Sequence, residues 1–215
     1  MRGGMPAIYQ TLVEFIGPQG TLVMPTHSWD QVAKGLRIFD AQETRSCVGA
    51  FTEWFRSQPN VVRSMHPTHS VAAYGKDAKD LVSGHETSET PCGKGSPYYK
   101  ILASNGTILL LGAPLESNTC YHCIEALAEV DYLLQDQPTD FTIEDASGLA
   151  TERSFFLHRA GVRRELCGLY ETLQKAGGQT TRTVGGARVI AIRGGSLLKT
   201  GLELLKQNPK ALVKA

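Results

Sequence analysis

Apolar positions along this chain switch between helical spacing and short unbroken runs. Ile8, Leu12, Phe15 and Ile16 fall at helical spacing behind Pro6, whose fixed φ suits a first turn. A helix is therefore expected there, ended by Gly17-Pro18-Gln19-Gly20. Thr21-Leu22-Val23-Met24 predicts a buried strand that stops at Pro25, and residues 26–46 show no period and are expected to be irregular. A second helix is expected over Val48–Ser57 and a short strand at Val61-Val62. His66–Ser70 reads as a loop because Pro67 disfavours helix at His66, and Val71–Tyr74 and Asp77–Val82 follow as a strand and a helix. Beyond a loop over 84–95, Ser96-Pro97 opens a helix to about Leu102, and Asn105-Gly106 turns the chain. Thr107–Leu111 (TILLL) is continuously apolar, which predicts a strand buried on both faces. A helix over Thr119–Val130 comes next.

After Pro138 the pattern changes. Phe141–Ile143 and Ser154–Leu157 flank an Ala146-Ser147-Gly148 turn and predict an antiparallel hairpin. Arg164–Ala176 reads as a helix ended by Gly177-Gly178, Arg188–Ile192 as a strand and Leu197–Lys206 as a closing helix. Strands alternate with helices, with one hairpin inserted. The expected fold is α/β: a three-layer α/β/α sandwich around a mixed sheet, one domain over residues 1–215.

Composition narrows the function. The net charge of +1 removes the electrostatic case for nucleic acid or an anionic membrane surface as partner. There is no apolar run long enough to span a bilayer, and Met1-Arg2-Gly3-Gly4 leads into no signal-peptide core. Cys47, Cys92, Cys120, Cys123 and Cys167 are odd in number and show no disulfide framework, so reduced thiols and a cytoplasmic location are expected.

Ligand sites in such folds gather at strand exits. Three exits here are polar: Pro25–Asp30, His66–Ser70 and Gly112–His122. In the third, a Thr119 cap would place His122 in the first turn of a helix, whose positive end disfavours imidazolium. A neutral imidazole is what a general base requires. Glu125, three residues on, shares its face and could orient the ring or hold a cationic amine. Cys120 and Cys123 make a C-x-x-C around His122, but no second pair completes a zinc set and no thioredoxin-like strand precedes it. His66 and His69, with Thr68 and Ser70, are candidates to line a site. Pro67 keeps them off a helix and no carboxylate stands near, so metal binding is not expected. No dinucleotide fingerprint, Walker loop or G-x-S-x-G occurs.

Four ordered stretches resemble one family: 17–30 (GPQGTLVMPTHSWD), 61–78 (VVRSMHPTHSVAAYGKDA), 91–102 (PCGKGSPYYKIL) and 106–127 (GTILLLGAPLESNTCYHCIEAL). Together they are similar to the core signature of aminoglycoside 3-N-acetyltransferases, and residues 184–209 are similar to that family's last strand and helix. The resemblance implies acetyl-coenzyme A as donor, a small-molecule amine as acceptor and direct transfer without an acyl-enzyme. The family's NT-x-x-H-x-x-E pattern falls on Asn118, Thr119, His122 and Glu125, so His122 inherits the base, with Thr119 and Glu125 beside it. Asn118, His66 and His69 are then expected at the acceptor, and Thr26 and Ser28 at the donor's pantetheine arm. The N–H groups that open the Thr119 helix would receive the oxyanion.

Two departures stand out. The family begins earlier, with a strand, a His-Ser-Ser loop that holds coenzyme A and a Gly-Gly turn. Arg2-Gly3-Gly4 matches that turn, so the segment before it is expected to be missing. The acidic residues that read an aminoglycoside have no secure counterparts; the hairpin offers Glu144, Asp145 and Glu152, then His158. The acceptor therefore stays open between an aminoglycoside and another amine, and a relative without catalysis is the alternative.

Overall fold

The computed structural model describes residues 3–88 and 90–214; Arg2 of the expected Gly-Gly turn and Glu89 of the second loop lie outside them. In chain order the elements are α1 (Gly4–Ile16), β1 (Thr21–Pro25), α2 (Trp29–Ala33), β2 (Ile38–Asp40), α3 (Ala50–Arg56), β3 (Val62–Arg63), β4 (Val71–Gly75), α4 (Ala78–Val82), α5 (Pro97–Ala103) and β5 (Thr107–Leu111). Then follow α6 (Cys120–Leu127), β6 (Thr139–Glu144), β7 (Ala150–Phe155), α7 (Cys167–Lys175), β8 (Gln179–Val184), β9 (Ala187–Arg193) and α8 (Gly194–Gln207). The chain is α/β. Its described strands do not join into the single mixed sheet that alternation predicted; they form three sheets of three strands, of which only β2-β6-β7 is mixed.

Two compact units divide the chain. The first comprises residues up to Pro91 with 95–97 and 137–157. Its antiparallel sheet β1-β4-β3 packs Met24 and Ala72 around Phe55, with Tyr9 and Leu12 of α1 against them. The Tyr9 ring meets Phe55, Trp54 and Tyr74 at 5.7–5.8 Å. The partly buried stripe of α1 thus runs through Tyr9 and Leu12, and Phe15, expected on it, is 88% exposed. The segment expected to be irregular holds α2 and β2. Three strand residues are too few to show a period, yet Phe39 is fully buried with Phe141, Ile143 and Phe155, and β2 runs parallel to the hairpin strand β6.

The second unit comprises 92–94, 98–136 and 158 onward. Its sheet β5-β9-β8 is antiparallel. The hairpin strand β8 escaped the sequence reading because QTTRTV offers no apolar run. Its signal was Gly185-Gly186, whose φ values of +56 and +85 fit the two left-handed positions of a tight hairpin turn. The expectation for TILLL is corrected: β5 pairs only with β9 among the described residues, and Leu109 and Leu111 are 43% and 46% exposed on its open face. Ile190, Ile192 and Leu197 fill the covered side. Helix α8 packs on β9, α6 and α7, and its start is fixed by the Asn105-Gly106 turn: Gly194 N–H donates to the Gly106 carbonyl and Gly195 N–H to Asn105 Oδ1.

Gly201 of α8 lets that helix approach α6. A Cβ there would lie 2.5 and 2.7 Å from Cδ1 and Cγ2 of Ile124, which is fully buried. Alanine gains about 1 kcal/mol of helix propensity over glycine, but overpacking costs about 1–3 kcal/mol. Gly201→Ala is therefore expected to lower the denaturant midpoint; a raised midpoint would mean that the helices separate without cost.

Candidate active site

Helix α6 begins at a cap different from the expected one. Thr119 has helical φ and ψ and makes no side-chain cap; the carbonyl oxygen of Asn118 accepts from Tyr121 N–H and its Oδ1 from Cys120 N–H at 3.1 Å. Asn118 is 2% exposed, and its Nδ2 donates to the Tyr170 hydroxyl, which donates in turn to the Leu115 carbonyl, each at 3.1 Å. This pins the entry of α6 to α7. It also uses up the N–H groups expected to receive an oxyanion. Those of Cys120 and Tyr121 go to Asn118, and that of His122 goes to the Thr119 carbonyl at 3.0 Å.

His122 lies in the first turn of α6, and Glu125 shares its face. His122 Nδ1 and Glu125 Oε2 are 2.7 Å apart. Glu125 is fully buried, and Arg164 closes its other side: Nε meets Oε1 at 2.8 Å as an ion pair off hydrogen-bond alignment, and Nη2 donates to Oε2 at 3.2 Å. A carboxylate can only accept, so Nδ1 carries the proton and Nε2 the lone pair. The His122 side chain keeps 15% of its surface exposed. Burial lowers its pKa below the ordinary histidine value and Arg164 adds to this; the Glu125 hydrogen bond and charge oppose it and lose. The neutral state thus rests on burial and a cation rather than on the helix end alone. The ring of His158 lies 4.3 Å from that of His122, and Tyr121 4.1 Å away.

The C-x-x-C thiols point into the core. Cys120 is pushed up to about 12 by burial, and Cys123 and Cys92 are raised as well. Among the described residues no group of three or more His, Cys, Asp or Glu has metal-holding geometry.

The other expected residues, Thr26, Ser28, His66 and His69, belong to the first unit. Thr26, Ser28 and His66 are fully buried. Ser28 Oγ donates to the Pro67 carbonyl at 2.8 Å, and Thr26 Oγ1 lies 3.1 Å from Ser70 Oγ. Arg63 gathers this loop, donating to Thr26, Ser70, Ala41 and Thr44; burial lowers its pKa to about 9. His66 Nδ1 accepts from the N–H groups of Thr68 and His69, each at 3.2 Å, so its proton sits on Nε2. His69 Nδ1 lies 2.8 Å from Thr68 Oγ1 and its ring 4.8 Å from His27. Of the hairpin acids, Asp145 binds Ser147 and Leu149 in its own turn and Glu152 binds Thr142.

Sequence reading missed Arg164 and Tyr170. Arg163-Arg164-Glu165 resembles any charged surface stretch, and only long-range packing selects its middle residue.

A family model described as Aminoglycoside 3-N-acetyltransferase matches residues 1–206. The SPbeta prophage-derived aminoglycoside N(3')-acetyltransferase-like protein YokD of Bacillus subtilis (strain 168) is 31% identical over 58% of this chain and 53% of its own length. The aminoglycoside N(3)-acetyltransferase III of Acinetobacter baumannii is 33% identical over 60% and 51%. The chain thus spans about half the length of the curated relatives it matches. Among solved structures, a mutant of aminoglycoside acetyltransferase AAC(3)-IVa in complex with a gentamicin is 26% identical, with 100% of this chain and 80% of that one covered at a TM-score of 0.83. AAC-IIIb, solved as a binary complex with CoASH, is 22% identical over 96% and 84% at 0.80, a likeness of fold alone. The chain belongs to the aminoglycoside 3-N-acetyltransferase family.

Proposed function

We propose that this protein transfers the acetyl group of acetyl-coenzyme A to an amine, with the 3-amino group of an aminoglycoside as acceptor, and so confers resistance. The observation that carries the reading is the His122–Glu125 pair, 2.7 Å apart, with an imidazole biased to the neutral form. The amine nitrogen attacks the acetyl carbonyl and forms the C–N bond. His122 Nε2 takes the proton that nitrogen loses; the C–S bond breaks, and the proton passes from His122 to the departing thiolate. Glu125 holds the ring in the required tautomer. We further propose an acetyltransferase domain with α/β/α layering, located in the cytoplasm; no helix among the described residues is long and apolar enough to cross a membrane.

A different small amine is the second reading. It is favoured by the engagement of Asp145 and Glu152 within the hairpin, which leaves them poorly placed to hold a polycation. The test is thiol release from acetyl-coenzyme A with and without gentamicin or a panel of simpler amines. Release that depends on an aminoglycoside supports the first reading, and release with other amines alone supports the second. Absence of amine-dependent release contradicts both and leaves a relative without catalysis.

A further inference from the structure

A buried carboxylate beside an imidazole, with no cation near, pulls a proton onto the ring. Glu125 therefore pushes His122 toward imidazolium, which accepts nothing, against the burial that holds the ring neutral. Arg164 changes the charge count: it meets both Glu125 oxygens, so the ring faces a pair whose charges sum to zero. Arg164 is itself held by backbone. Arg164 and Val213 form an antiparallel bridge, Glu165 N–H donates to the Leu212 carbonyl at 2.9 Å and Lys214 N–H to the Arg163 carbonyl at 3.0 Å. Leu212 is fully buried. The guanidinium also donates from Nη1 to the Val162 carbonyl at 3.0 Å and lies over the Tyr132 ring at 5.5 Å.

We propose that Arg164 is a positioning residue that neutralises Glu125, so that Glu125 orients His122 without protonating it, and that the C-terminal segment Leu212–Lys214 is the clamp that keeps Arg164 in place. Within this unit the titratable groups around His122 include Glu125 and Tyr121 on α6, Arg164, and His158 from the segment after β7, with Tyr132 facing Glu125. Only Arg164 is a permanent cation among them. For its kinetic consequence the inference rests on His122 being the base; its electrostatic consequence does not.

The test is a nitrogen-15 NMR titration of the histidines in the full chain and in Arg164→Met, Arg164→Lys and Lys214→Pro, with acetyl transfer measured alongside. Arg164→Met is expected to raise the His122 midpoint. If His122 is the base, kcat at pH 6 falls in that variant by less than about tenfold, in step with the neutral fraction of the ring, with KM little changed. Arg164→Lys keeps the charge and is expected to hold the midpoint near that of the parent. Lys214→Pro removes one clamp donor at an exposed position and is expected to shift the midpoint upward by less, which keeps the test open if Arg164→Met does not fold. An unmoved midpoint in Arg164→Met and Lys214→Pro, or equal shifts in the Met and Lys variants, overturns the inference. A moved midpoint with unchanged kinetics leaves Arg164 its role and removes the base assignment from His122.

Discussion

His122→Asn is expected to lower kcat for acetyl transfer by about 10²–10⁴-fold, the range that a positioned general base contributes, with a melting temperature close to that of the parent chain. Glu125 accepts from Nδ1 at 2.7 Å, so the ring presents its lone pair on the other side. Asparagine can still donate to Glu125 and fill most of the site, but it has no basic nitrogen. His122→Ala should lose as much rate and also some stability, because Glu125, fully buried, loses one of its partners. Steady-state rates at saturating donor and acceptor decide the matter. An Asn variant within about fivefold of the parent, well short of what a general base contributes, would sink the assignment of the base.

The second large effect is on stability. Glu125→Ala leaves the Arg164 side chain, only 10% exposed, without its carboxylate. Breaking a buried pair by removing one partner costs about 3–5 kcal/mol, since the remaining charge stays desolvated. For a chain of this size that corresponds to a melting point lower by about 10 °C. Glu125→Gln keeps the shape and should lose less, as its amide oxygen still accepts from Arg164. Urea unfolding of the three proteins gives the comparison; a loss under about 1 kcal/mol in Glu125→Ala, the worth of an exposed pair, would mean that water reaches Arg164 and that the pair is not closed off.

The His122–Glu125 pair of the candidate site was legible because it is local. His122 and Glu125 are three residues apart on one helix, and helical spacing alone puts them together. What fixes them was not legible. The cap came from Asn118 rather than Thr119, one residue earlier, because the chain enters the helix with Thr119 already in helical conformation. Arg164 reaches Glu125 across 39 positions, and Tyr170 reaches Asn118 across 52. No periodicity encodes such distances.

The fold divides the same way. Helices α1, α3, α7 and α8 and the hairpin β6-β7 carry their own period and turn signals. Strand β2 is too short to have one, and β8 is polar because its outer positions face solvent. TILLL misled for a different reason. A continuous apolar run fits burial on both faces, but it fits equally well an edge strand whose outer leucines remain open.

The central claim is that His122 rests as a neutral imidazole with its proton on Nδ1. Nitrogen-15 shifts of labelled histidine report the tautomer and the titration midpoint together. The account predicts the Nδ1–H form for His122 at pH 7 and a midpoint below 6.5, the ordinary value from which burial lowers it. A doubly protonated ring at pH 7, or a proton on Nε2, would contradict it.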